Sequence, residues 1–220
     1  MSTPIRLLDW NMRGFRQDGR RYQLIRYIRE EEVDIVGIQE TIKQDFSIHE
    51  LQGLSTHKFV WQWIPANGHS GGILLGVKED TFEVEDMDRG EFFVSMLLTH
   101  RRTSLQWEVI IVYGPADHSR SASFLAELRA KVERCSTPLV VAGDFNLIRS
   151  PDDKSSANVD LQRMRMFNDC IADLDLRELR RVGAIYTWTN NRVNESGECW
   201  TGFLYMWIGK SPSLSALLGL

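Results

Sequence analysis

The stretch P-L-V-V-A-G-D-F-N, residues 138–146, decides how the rest of the chain is read. Four apolar residues, Leu139, Val140, Val141 and Ala142, lead into Gly143, and Asp144 and Asn146 follow with one residue between them. The run is too short for a typical helix, is bounded by Pro138 and Gly143, and contains adjacent valines, which together predict a buried strand. Residues two apart on an extended backbone share a face. The strand therefore ends by aiming a carboxylate and an amide at one spot, where open α/β sheets keep their chemistry. Taken alone, the same stretch is equally a core strand that stops at a solvated Asp-Phe-Asn turn.

Working outward, the same pattern recurs. Residues 5–10 read as a strand that delivers Asn11 to a turn-prone loop, and residues 33–38 as one that ends in Gln39, Glu40 and Thr41. Residues 107–113 end at Tyr113, Gly114 and Pro115. Residues 59–63 and 73–77 form a hairpin across a glycine-rich turn, and 82–84, 92–99 and 186–190 read as further strands. Helical spacing predicts amphipathic helices over 21–31 (Tyr22, Ile25, Ile28), 121–134 (Phe124, Leu125, Leu128, Val132) and 160–174 (Leu161, Met164, Phe167, Ile171, Leu174), the last capped by Asp160. From residue 200 onward no period is kept. No repeat, low-complexity block or composition shift marks a domain boundary.

Composition sets outer limits. A chain of 220 residues that is 43% hydrophobic can bury a substantial core in one domain. No run approaches the roughly 18 apolar residues of a membrane span, and the start M-S-T-P-I-R-L-L-D-W lacks the apolar core of a signal peptide, so an intracellular protein without membrane partners is expected. Cys135, Cys170 and Cys199 are odd in number and widely spaced, which predicts free thiols. With net charge -4 and a pI of about 5.8, binding to nucleic acid must be local rather than by bulk charge. Candidate patches are Arg13, Arg16, Arg20 and Arg21, then Arg101 with Arg102, then Arg177, Arg180 and Arg181; each is also explained as a solvated surface cluster.

The constellation says more than its members. Asn11 alone caps a turn, Glu40 alone is a solvated strand end, and Tyr113 alone is a core aromatic with a satisfied hydroxyl. Together with Asp144 and Asn146 they are five polar residues at strand exits. Two carboxylates supply the hard oxygen ligands that magnesium prefers. Asparagine and tyrosine are neutral donors suited to phosphate oxygens.

The segments W-N-M-R-G (10–14), Q-E-T (39–41), S-G-G-I (70–73), V-Y-G-P (112–115), G-D-F-N (143–146) and Y-T-W-T-N (186–190) stand in an order that resembles the endonuclease/exonuclease/phosphatase superfamily. The combination is most similar to the endonuclease domain of LINE-type non-LTR retrotransposons, which is exonuclease III-like. The resemblance implies an α/β fold, a four-layer sandwich of two mixed β-sheets flanked by helices. It implies magnesium, or manganese in its place, held by Glu40 with Asn11 beside it. It also implies that Tyr113 and Asn146 hydrogen-bond the scissile phosphate, that Asp144 orients or deprotonates the attacking water, and that Thr187 contacts the substrate backbone. The implied partner is DNA, nicked by hydrolysis in the nucleus, with no obligate protein partner.

One departure bears on activity. The resemblance calls for an aspartate in an L-D-R-like strand after Y-T-W and then a serine-aspartate-histidine trio. No aspartate follows Asp175 and no histidine follows His118. At the expected place the chain reads C-W-T-G-F-L-Y-M-W-I-G-K, which suggests a shifted frame or splice junction near residues 199–202. The reading is therefore an incomplete nuclease domain over 1–192 that lacks the last strands of its second sheet, a divergent tail over 193–220, and weak or absent turnover. An abasic-site repair nuclease or other phosphoesterase of the superfamily, and a non-catalytic remnant, are the alternatives. His69 and His118 read as loop histidines rather than substitutes for the missing one. Whether the tail covers the exposed sheet edge is left open by the sequence.

Overall fold

Apolar side chains on both faces of the central strands require two sheets to stack. The computed structural model describes residues 4–68, 70–153, 159–178, 188–189, 201–202 and 204–209. The first sheet contains β1 (Leu7–Asn11), β2 (Ile35–Gln39), β3 (Phe59–Ile64) and β4 (Ile73–Lys78), in the order β1-β2-β4-β3. The second contains β5 (Phe82–Arg89), β6 (Phe93–His100), β7 (Gln106–Tyr113), β8 (Leu139–Asp144) and β9 (Arg177–Glu178). A ribbon of β10 (Trp188–Thr189) with β11 (Thr201–Gly202) precedes β12 (Leu204–Gly209), and the second sheet runs β5-β6-β7-β8-β12-β9. β1 is parallel to β2 and β7 to β8, while the remaining pairs are antiparallel. Four helices, α1 (Asp18–Glu30), α2 (Ile48–Gln52), α3 (Ser121–Arg134) and α4 (Leu161–Asp173), complete the expected α/β sandwich.

Alternation along the strands sorts side chains into three cores. In β7, Trp107, Val109 and Ile111 enter the space between the sheets, whereas Ile110 and Val112 face outward onto α3 and α4. In β8, Val140 and Ala142 point inward, and Leu139 and Val141 meet Phe124, Leu128, Phe167 and Ile171. On the other side, Val36 and Ile38 of β2 pack with Leu24 and Ile28 of α1. The layers are thus helix, sheet, sheet, helix. Burial on both faces is why residues 139–142 carry no polar position, with Leu139, Val140 and Val141 each contributing about 1.5–3 kcal/mol.

Several details differ from the sequence reading. α1 buries Leu24 and Ile28 and leaves Tyr22 69% exposed, and α4 buries Phe167, Cys170 and Ile171 but exposes Leu161. In both, the buried stripe is narrower than a three-to-four spacing alone suggests. α2 was not expected, although Ser47 and Glu50 form a capping box that S-x-x-E signals. Asp160 does cap α4, its side chain accepting from the Arg163 N–H. β12 pairs antiparallel along the whole of β8, so residues 204–209 cover the edge whose fate the sequence left open. Cys135 and Cys170 are buried free thiols, and Cys199 lies outside the described residues. No helix among the described residues is long and apolar enough to cross a membrane.

Gly143 shows how closely β7 and β8 approach. Its φ is +136°, and a Cβ there would lie 2.0 Å from the Val112 carbonyl oxygen. Only glycine fits this position without moving backbone.

Candidate active site

The inward faces of β1, β2, β7 and β8 turn polar at their C-terminal ends. Leu7 packs into the inter-sheet core, so Asp9 and Asn11, two and four residues on, face the same space. By the same alternation Ile35 is followed by Gly37 and Gln39, Ile111 by Tyr113, and Ala142 by Asp144. Because the two parallel pairs finish at one rim, residues far apart in sequence meet there.

Two of the hydrogen bonds that span the sheets lie at this rim. Asn11 Nδ2 donates to Asp144 Oδ2 at 2.7 Å, and Tyr113 Oη donates to Glu40 Oε1 at 2.6 Å. The other oxygen of Glu40 faces Arg13 Nε at 3.6 Å. The Asn146 backbone N–H donates to Asp144 Oδ1 at 3.0 Å, while its side-chain Nδ2 donates to the Gly114 carbonyl at 2.7 Å. Asn11, Glu40, Tyr113, Asp144 and Asn146 are therefore brought together. Thr187 and His69 lie outside the described residues, and His118 is exposed in a 3-10 turn.

The backbone at this rim is unusual. Arg13, Glu40 and Asn146 all have positive φ, at 52°, 51° and 51°. Non-glycine residues in that region cost on the order of 1 kcal/mol each and persist only where the surroundings fix them. Here the fixing is visible: the N–H groups of Met12, Gly14 and Phe15 donate to the carbonyls of Gln39, Glu40 and Thr41 at 3.0, 2.7 and 2.8 Å. Two loops, W-N-M-R-G and Q-E-T, are laced together.

Burial sets the electrostatics. It drives the Tyr113 hydroxyl far above its ordinary range, and the bond to Glu40 adds to this, so the phenol remains a donor at neutral pH. Burial also raises Asp144, opposed by the donors from Asn11 and Asn146. Asp9 was not singled out from the sequence. Its carboxyl lies between the sheets, accepts from Gln39 Nε2 at 2.5 Å, and is pushed up to about 7 by burial, with the Asp144 charge adding to the rise. The residue as a whole is only part-buried, on a strand that is the sheet edge among the described residues. Gly37 makes room for it, since a Cβ there would sit 3.0 Å from Asp9 Oδ1. The available signal was period two: Asp9 shares a face with Asn11.

The donor set fits a hard divalent cation. Asn11 Oδ1 is buried without a hydrogen-bond partner, beside the carboxylates of Asp144 and Glu40. No group of three or more His, Cys, Asp or Glu among the described residues is spaced to enclose a metal.

Residues 10–208 match the model of the Endonuclease/Exonuclease/phosphatase family. An exodeoxyribonuclease of Bacillus subtilis (strain 168) is 25% identical over 169 residues, covering 65% of this chain and 59% of that protein. The chain thus spans about 59% of the length of this curated relative. Among solved structures, the AP endonuclease LMAP from Leishmania major superposes with a TM-score of 0.73 at 14% identity, over 94% of this chain and 79% of that one. The endonuclease domain of TRAS1, a telomere-specific non-LTR retrotransposon, superposes with a TM-score of 0.65 at 15% identity, over 94% and 86%. These likenesses extend the fold across the whole sandwich.

Proposed function

Because the chain belongs to the endonuclease/exonuclease/phosphatase family, we propose that it is a magnesium-dependent phosphodiesterase that nicks DNA in the manner of a retrotransposon endonuclease, with slow turnover. The observation that carries this is the pair of cross-sheet bonds, Asn11 to Asp144 and Tyr113 to Glu40, which gathers two carboxylates and two neutral donors on one rim.

In this reading Glu40 and Asn11 hold the metal, which when bound neutralises charge on the phosphate oxygens. Tyr113, kept protonated by burial, turns its single O–H from Glu40 to a non-bridging oxygen, and Asn146 donates beside it. Asp144 accepts a proton from the attacking water, its basicity raised by burial and its orientation fixed by Asn11 and the Asn146 N–H. Thr187 contacts the DNA backbone. The V-Y-G-P and Y-T-W-T-N segments favour the retrotransposon branch over abasic-site repair, which a panel of intact and abasic duplexes separates. In this reading turnover is weak or absent, because these 220 residues hold neither the L-D-R aspartate nor the serine-aspartate-histidine trio. One missing acid or base lowers the rate by about 10²- to 10⁴-fold.

The test is nicking of supercoiled plasmid with and without magnesium. The chain is expected to nick at least about 10²-fold more slowly than the same chain extended by L-D-R and S-D-H segments, or not at all. Glu40→Ala is expected to abolish both activities. Equal rates for the two chains would refute the slow-turnover reading, and nicking that survives Glu40→Ala would refute the metal site.

A further inference from the structure

The rim gathers the carboxyls of Asp9, Glu40 and Asp144, which by themselves repel an incoming phosphate. Opposite them stands Arg13. Its Nε lies 3.6 Å from Glu40 Oε2, beyond hydrogen-bonding distance but within ion-pair range, and its charge is felt at both Asp144 and Tyr113. The side chain keeps 40% of its surface exposed.

The loop that presents it is built for this orientation. Arg13 and Gly14 both have positive φ, at 52° and 113°, and the Arg13 side chain lies beside Glu40. The Met12 and Gly14 N–H groups anchor the turn to Gln39 and Glu40. From the other side the Arg20 guanidinium of α1 donates to the Met12 carbonyl at 2.7 Å and also to the Arg13 carbonyl. One arginine is thus used to hold the backbone of another. A stable surface ion pair does not require a strained backbone, and backbone strain held from two sides is a reason to look for function.

We propose that Arg13 is a further phosphate-binding residue of this chain, its guanidinium taking a non-bridging oxygen of the nucleic-acid phosphate seated beside Glu40. A guanidinium offers five donors in a planar fork that matches a phosphate. This inference rests on the reading of the chain as a DNA-binding phosphodiesterase, and goes beyond it by assigning a contact to a residue outside the five polar strand-end positions. Arg16, exposed three residues on, extends the same positive edge.

The experiment is fluorescence anisotropy of a labelled DNA duplex in EDTA, titrated at several NaCl concentrations, with circular dichroism to check folding. Arg13→Gln is expected to weaken binding about 10-fold and to lower the slope of log affinity against log salt by about one, as loss of one phosphate contact does. Arg13→Lys is expected to retain the wild-type slope while losing about 3- to 10-fold in affinity, because the fork is lost and the charge kept. Arg129→Gln, on α3 and paired with Asp173 of α4, is the control expected to change neither. Wild-type affinity and slope in Arg13→Gln would refute the contact. So would weaker binding at unchanged slope, which would mean that Arg13 acts only by positioning Glu40. Should the glutamine variant fail to fold, the lysine variant decides, with wild-type affinity counting against the proposal. Absence of any DNA binding by the unaltered chain would refute this inference and the proposed function together, whereas binding that is indifferent to Arg13 sinks only the inference.

Discussion

Tyr113 ends β7 of the second sheet, Glu40 directly follows β2 of the first, and the 2.6 Å bond between them spans the two sheets at the rim. Glu40 retains 24% of its side-chain surface, so water can replace the phenol if it is removed. Tyr113→Phe is therefore expected to change stability by less than about 1 kcal/mol while lowering nicking on the order of 10²-fold, as loss of an oriented donor to the reacting group does. Urea unfolding and plasmid nicking measured side by side check this. A large loss of stability would instead make the bond structural.

The partner bond behaves differently because the Asp144 carboxyl is largely desolvated, although the residue as a whole is part-buried. Asn11→Ala removes the donor to Asp144 Oδ2 and leaves a buried carboxylate short of a hydrogen bond, which is expected to destabilise the fold by about 1–3 kcal/mol. Asn11→Asp is a sharper test. Two carboxyls at that distance share a proton, so the variant should be close to wild-type stability at pH 5 and clearly weaker at pH 8. Urea midpoints at the two pH values measure it, and an equal deficit at both would count against the pairing.

Most of the sandwich was legible because its central strands are buried on both faces, and a run such as Leu139, Val140, Val141, Ala142 has no other stable use. The five polar strand ends were legible for the same reason, since a polar residue directly after such a run must lie at the rim. What escaped was polar but inside the run. Asp9 stands between Leu8 and Trp10, and nothing local says that Gly37 on the neighbouring strand clears a space for its carboxyl. Arg13 read as one of several surface arginines, because its direction depends on a positive φ that sequence periodicity does not encode. β12 was missed since a strand without alternation is recognisable only from the edge it joins.

Asp9 gives stability a pH dependence with a definite sign. Its folded pKa of about 7 lies above the usual carboxylate value, so between about pH 4 and pH 7 the folded state holds a proton that the unfolded chain has released. Stability then falls as pH rises through this window and levels off above it. Three pH units correspond to at most about 4 kcal/mol. Asp9→Asn keeps an acceptor for Gln39 and removes the titration, so in EDTA the variant is expected to lose about 2–3 kcal/mol less than wild type between pH 5 and pH 8. Parallel slopes for the two proteins would show that the carboxyl is not enclosed as described.

At the opposite end of β7 from the rim, Lys131 on α3 is held between two carboxylates, with Nζ 2.7 Å from Glu108 and 2.9 Å from Asp88. Burial by itself would lower this ammonium, but the bonds to Glu108 and Asp88 outweigh it and raise it. Glu108 is as enclosed as the lysine and also accepts from the Cys135 thiol at 2.8 Å. Asp88 is 41% exposed and can be rehydrated, whereas Glu108 cannot. Lys131→Met is therefore expected to destabilise the fold by about 3–5 kcal/mol through the stranded Glu108 charge, not through lost packing. The double variant Lys131→Met with Glu108→Leu removes both charges and should recover most of that loss, since well-packed apolar replacements of buried pairs are often neutral. Urea unfolding of wild type, both single variants and the double closes the cycle. A double variant no more stable than Lys131→Met would locate the loss in Asp88 and in the seating of α3 on the sheet.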